Sequence, residues 1–154
     1  MGKSTIVLLT ILLASVSTEA QVINDIHISI HGTAEIILVD SLARRTGYDP
    51  IADVDYAEIP NASYGDEGVD SEDSTVSDLY FRGLGFQDAT SGVYTLNDIG
   101  TTQGSFYVTI SMSRGIENNR TFMFSGATSR ASTSTFRIIY STDTTVQLKV
   151  TQLH

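Results

Sequence analysis

Between Arg45 and Arg82 the sequence places ten carboxylates and no Lys or Arg: Asp49, Asp53, Asp55, Glu58, Asp66, Glu67, Asp70, Glu72, Asp73 and Asp78. Calcium takes roughly six to eight oxygens, mostly from carboxylates and backbone carbonyls. "DPIADVD" and "GDEGVDSED" offer such oxygens beside turn residues, so Asp49, Asp53, Asp55, Asp66, Asp70 and Asp73 are the candidate ligands. The D-x-D-x-D-G spacing of an EF-hand is missing. Two other readings stand for the same charge: a solvated acidic face that keeps the chain soluble, and a protein-binding surface. Calcium is the one cofactor to which the sequence points.

Other chemistries have less to work with. There is no Cys, so no thiolate nucleophile and no disulfide. No Gly-x-Ser-x-Gly elbow occurs, and the nearest run, "NASYG", lacks the first glycine. Asp53, Asp55 and Glu58 are close enough in sequence to suggest a glycosidase pair. A catalytic acid, however, needs a pKa raised by burial, and the surroundings are polar. His27 and His31 would share a metal if they lay on a helix. On a strand they stand about 13 Å apart, too far for an ion that needs each nitrogen at about 2 Å. His154 is the last residue of the sequence. Arg44 and Arg45 stand where the acidic stretch begins, and the expectation is a structural ion pair with Asp40 or Asp49. Asn61 in "NAS" and Asn119 in "NRT" match the N-glycosylation acceptor, and both fall in expected turns.

The elements that must position these groups are strands. Ile26, Ile28 and Ile30 alternate with polar residues, as do Phe106, Val108, Ile110 and Met112. Phe136, Ile138 and Tyr140 form a third such set, and Val146, Leu148 and Val150 a fourth. Period two marks a half-buried strand. "IILV" at 36–39 is apolar on both parities and predicts an interior strand. Turn signals at 97–105, 113–120 and 141–145 separate the later strands, and from about residue 92 the pattern reads as an antiparallel meander. The spacing predicts an all-β antiparallel sandwich, jelly-roll or immunoglobulin-like. The stretch 47–78, which holds both prolines, reads as one long acidic loop pinned by Tyr48, Tyr56, Ile59 and Tyr64.

Two segments carry a resemblance. "AEIILVDSLARRTGYDP" followed by "AEIPNASYGDEG" resembles a β-sandwich accessory module of secreted bacterial proteins. "SGVYTLNDIGTTQGSFYVTISM" is similar to the paired strands of pre-peptidase C-terminal domains. The resemblance implies a non-catalytic extracellular β-sandwich and names no ligand.

The first twenty residues read as a signal peptide: Lys3, an apolar run over 5–16, and Thr18 and Ala20 before a cleavage at Gln21. The run is shorter than the roughly 20 residues a spanning helix needs. The remaining chain, 21–154, is expected to be a single domain. Lys3 and Glu19 leave together, so the net charge stays at −9. That field repels phosphate backbones and anionic membrane surfaces. The expectation is a secreted or cell-surface protein that binds an extracellular protein or glycan, or itself. The first alternative is a structural subunit of a filament or surface layer that donates strand 22–31 to a neighbour; the second is a small secreted hydrolase.

Overall fold

A computed structural model describes residues 23–67, 81–115 and 118–153, with only the backbone of Asp66, Glu67 and Phe81. The expected signal peptide, Asp70 and Asp73 lie outside the described residues. Eleven strands are present: β1 (Asn24–Gly32), β2 (Ala34–Val39), β3 (Arg45–Asp49), β4 (Val54–Ala57), β5 (Ala62–Glu67), β6 (Phe81–Phe86), β7 (Gly92–Gly100), β8 (Gly104–Arg114), β9 (Asn118–Thr128), β10 (Thr133–Tyr140) and β11 (Lys149–Leu153). They form two antiparallel sheets packed face to face, a five-stranded one ordered β5-β6-β1-β8-β9 and a six-stranded one ordered β11-β10-β7-β2-β3-β4.

The alternating sets meet between the sheets. Ile26, Ile28 and Ile30 of β1 face Leu84, Phe86, Val108 and Ile110 along their own sheet. Ile36, Leu38, Leu96, Phe136 and Ile138 close the core from the other side. Aromatic rings bridge the two layers: Phe86 meets Tyr94 edge to face at 5.6 Å, and Phe106 meets Phe136 at 6.4 Å. Such edge-to-face pairs add to the area they bury. β2 is covered on both faces, as its unbroken apolar run requires.

Four expectations change. The region from residue 92 is not a meander. β7 pairs with β2 and β10 in one sheet, while β8 pairs with β1 and β9 in the other. The alternating pattern of a strand says which face is apolar and is silent about which sheet supplies its neighbour. The stretch read as one loop over 47–78 is strand and turn over its described residues: β3 runs into it, and β4 and β5 lie inside it. Its polarity hid the strands because β4 is an edge strand, with Val54, Asp55 and Ala57 exposed. Val146 and Leu148 were expected in the last strand, which begins only at Lys149. Asn119 lies in β9 rather than in a turn. β1, the strand considered for donation, is interior to its own sheet, paired on one side with β6 and on the other with β8 over nine residues.

Candidate functional site

The acidic side chains after β2 are spent on turns. Asp40 Oδ1 accepts from the backbone N–H of Leu42 and of Arg44, each at 2.9 Å, and its Oδ2 accepts from Arg44 Nε and Nη2 at 2.7 Å. One carboxylate therefore closes the β2–β3 turn and holds a fork-like guanidinium. Burial pushes its pKa up, yet the Arg44 guanidinium and the two N–H donors outweigh that and leave it below the usual aspartate value. Arg45, expected on Asp40 or Asp49, turns instead to Glu58. Glu58 accepts from the Arg45 backbone N–H at 2.9 Å and from Nη2 at 3.3 Å, and these bonds lower its pKa. The Arg45 guanidinium lies 3.7 Å from the centre of the Tyr56 ring, a cation–π contact.

The "RTGYDP" motif is accounted for residue by residue. Thr46 is fully buried, and its hydroxyl accepts from the Ile59 N–H at 3.3 Å, tying Ile59 into the core. Gly47 has φ +133°, and a Cβ there would sit 2.1 Å from the Ile36 carbonyl oxygen, so no other residue fits. The Tyr48 hydroxyl donates to Asp53 Oδ1 at 2.7 Å, which raises the tyrosine's pKa. Asp49 Oδ1 accepts from the N–H of Ile51 at 2.9 Å and of Ala52 at 3.0 Å, closing the β3–β4 turn in which Pro50 stands. Asp55 lies opposite Tyr48 in the β3–β4 pair, and Asp66 opposite Arg82 in the β5–β6 pair. Three of the six candidate calcium ligands, Asp49, Asp53 and Asp55, are thus in one hairpin, and the first two already accept from protein donors. Among the described residues no group of three or more metal-ligating side chains comes together.

Sequence reasoning missed three polar residues. Arg114, at the end of β8, is 8% exposed and aims its guanidinium at four backbone carbonyls. Nη1 donates to Ser141, Asp143 and Val146 at 3.3, 2.5 and 2.6 Å, and Nη2 to Thr144 at 3.1 Å. A fixed cation thus fills a ring of carbonyls that would otherwise need water or a metal ion, and the loop curls around it instead of continuing as strand. Glu35 of β2 is buried and is held by Tyr64 and Arg82 from the opposite sheet. Asp98 shares the core-facing side of β7 with Tyr94 and Leu96, between Ile36 and Ser134 on its neighbours. It is 1% exposed, its Oδ2 has no hydrogen-bond partner, and burial pushes its pKa up to about 7. A lone Asp in a period-two apolar run, "YTLNDI", is the one signal that could have found it.

A shallow depression of about 520 Å³ opens where the ends of β1, β8 and β9 meet, lined by His31, Gly32, Ser105, Phe106, Tyr107, Ser125, Gly126 and Ala127. Tyr107 is 41% exposed, packs edge-on against His31 at 6.1 Å and donates to Met123 Sδ at 2.7 Å. The face around it is built of small polar side chains: Ser29, Thr109, Ser111, Thr121 and Ser125 lie in register with it across β1, β8 and β9. Such a surface can stack on or hydrogen-bond a ligand, and the groups at the depression include no carboxylate. No family model matches the chain, and no curated protein or solved structure matches it.

Proposed function

We propose that this is an exported, non-catalytic β-sandwich that binds an extracellular protein or glycan through the outer face of the five-stranded sheet. The observation that carries the reading is Tyr107, an exposed aromatic ring among Ser, Thr and Gly residues at the depression on this sheet. Tyrosine gives contact area and a polar tip at low entropic cost, which is why it anchors many binding surfaces. The carboxylates of the β2–β4 turns serve the backbone, which leaves them poorly placed for acid–base work. Calcium, in this reading, belongs to the acidic segment and acts on stability rather than on chemistry.

Binding of the purified protein to immobilised glycans and extracellular-matrix proteins tests this. Tyr107→Ala should weaken capture at least about tenfold, in line with the loss of a central aromatic contact, with an unchanged circular-dichroism spectrum. Capture that is indifferent to Tyr107, or hydrolysis of a screened substrate, would replace this reading. The export part is read separately: the secreted protein should begin at Gln21 by mass spectrometry.

A further inference from the structure

Four described strands stand at sheet edges: β5 and β9 in one sheet, β4 and β11 in the other. An open edge is a row of unpaired N–H and C=O groups that can template another strand, and proteins blunt it with shortness or charge. Three of the four are blunted. β4 has four residues and carries Asp55, β5 has six and ends in Asp66 and Glu67, and β11 has five and begins with Lys149. β9 has eleven residues, no proline and no carboxylate, and its one charge is Arg120. It pairs with β8 residue for residue from Asn118 to Thr128 without a bulge, so nothing twists it out of reach.

We propose that β9 is a self-pairing edge: two copies of this chain join antiparallel through it, about a two-fold axis at Met123, into one continuous sheet. Met123 is the midpoint of Asn118–Thr128, so this register pairs all eleven residues of both strands. Phe122 falls opposite the partner's Phe124. Both rings already pack against the hydrophobic core and are only half-buried, so pairing continues the core across the axis. Arg120 falls opposite the partner's Gly126. The space over Gly126 is taken by the chain's own Phe106 ring, 2.6 Å from where a Cβ would sit, so the arginine meets an aromatic edge and no charge. No two like charges face each other. In a chain of net charge −9 with acids on the edges β4 and β5, β9 is the long edge at which two copies meet without facing carboxylates. Strand addition thus runs through β9 and not through β1, and it stands whether or not Tyr107 binds a ligand.

Sedimentation of the purified protein between about 1 and 500 μM, a range that brackets a weak to moderate dimer, reads the assembly. A dimer is expected, and a monomer throughout overturns the proposal. Met123→Lys sets two ammonium groups face to face at the axis and should weaken the dimer at least about tenfold. Met123 is 63% exposed, so the fold should persist, which circular dichroism checks. Mixing Met123→Lys with Met123→Glu should restore pairing as a heterodimer. Because the chain has no Cys, Met123→Cys should form an interchain disulfide on mild oxidation, while Thr121→Cys alone should not, its opposite residue being the partner's Ser125. A dimer unmoved by Met123→Lys, or cross-linking that is equal at both positions, places the contact elsewhere and overturns the register.

Discussion

Two regions of this protein solve the same problem in opposite ways. The turns between β2 and β4 and the loop between β10 and β11 both hold backbone groups that no strand satisfies. In the first region the donors come from the turn and the acceptor is a carboxylate at its own start: Asp40 serves Leu42 and Arg44, and Asp49 serves Ile51 and Ala52. In the second Asp143 caps Thr145 in the same local way, but four carbonyls are held by Arg114, 27 to 32 residues away on the other sheet. A local cap orders a turn and nothing more. A remote cation ties a loop to a strand of the opposite layer and so makes the loop part of the tertiary structure. Asp98 belongs to neither arrangement, being buried like Arg114 but lacking its partners.

The largest effect should come from removing the remote anchor. Arg114→Met should cost about 3 kcal/mol or more, since several carbonyls lose their donor at once. Urea denaturation reads the loss, and hydrogen exchange should quicken in Lys149–Leu153. Arg114→Lys should recover little of it, because an ammonium is a point charge and cannot span four carbonyls. An unchanged midpoint for Arg114→Met would erase the contrast between the two regions.

Asp98→Asn should act in the other direction, stabilising the protein at pH 7.5 by about 1–3 kcal/mol, because a charge held in the core without a partner is replaced by a neutral group. The pH dependence has a definite sign. The folded-state pKa of about 7 lies above the unfolded value, so this group's contribution is fully favourable below about pH 4 and is lost as pH rises to about 7. Asp98→Asn should flatten that limb. The acid limb below about pH 4 should remain, because Asp40, Glu58 and Asp143 have lowered pKa values and lose their stabilising effect on protonation.

Asp40→Ala should cost about 1 kcal/mol, a local loss with two backbone donors returned to water at the surface. Chemical denaturation checks it, and exchange in Lys149–Leu153 should not change. Calcium should have the smallest effect. For a weak extracellular-type site with Kd about 1 mM, 1 mM calcium adds about 0.4 kcal/mol, read as a melting temperature above that in ionic-strength-matched sodium chloride. Asp53→Asn with Asp55→Asn should leave that shift in place, since Asp53 is already engaged by Tyr48. Asp70→Asn with Asp73→Asn should remove it. Equal melting curves in the two salts would reduce the acidic segment to a solvated face.

The local region was the legible one. Asp40 and Arg44 are four residues apart, and a carboxylate at a turn start followed by a basic residue announces itself in sequence. The strands of β1, β2, β8 and β10 were equally plain, because each alternates or runs apolar for long enough to fix a face. β4 and β5 were not, because edge strands expose polar side chains and then resemble loops, and β3 was not, because its five residues, RTGYD, are short and mostly polar. Within the candidate site, Tyr107 was visible only as the polar phase of a strand, and its exposure beside His31 and Met123 needed the neighbouring strands.

Composition and periodicity by themselves determined an all-β sandwich, the core-facing residues of β1, β8 and β10 and the absence of thiol chemistry. These follow from side-chain hydrophobicity and the two-residue repeat of a strand, both properties of the chain read in order. Which sheet each strand joins, why β11 begins only at Lys149, which arginine meets which acid, and that β9 stands at an edge among the described strands were decided by the tertiary structure. Strand alternation carries no address for a partner, and the bonds of Arg114, Glu35 and Asp98's surroundings join residues far apart in the chain. Only packing the two sheets brings them within reach.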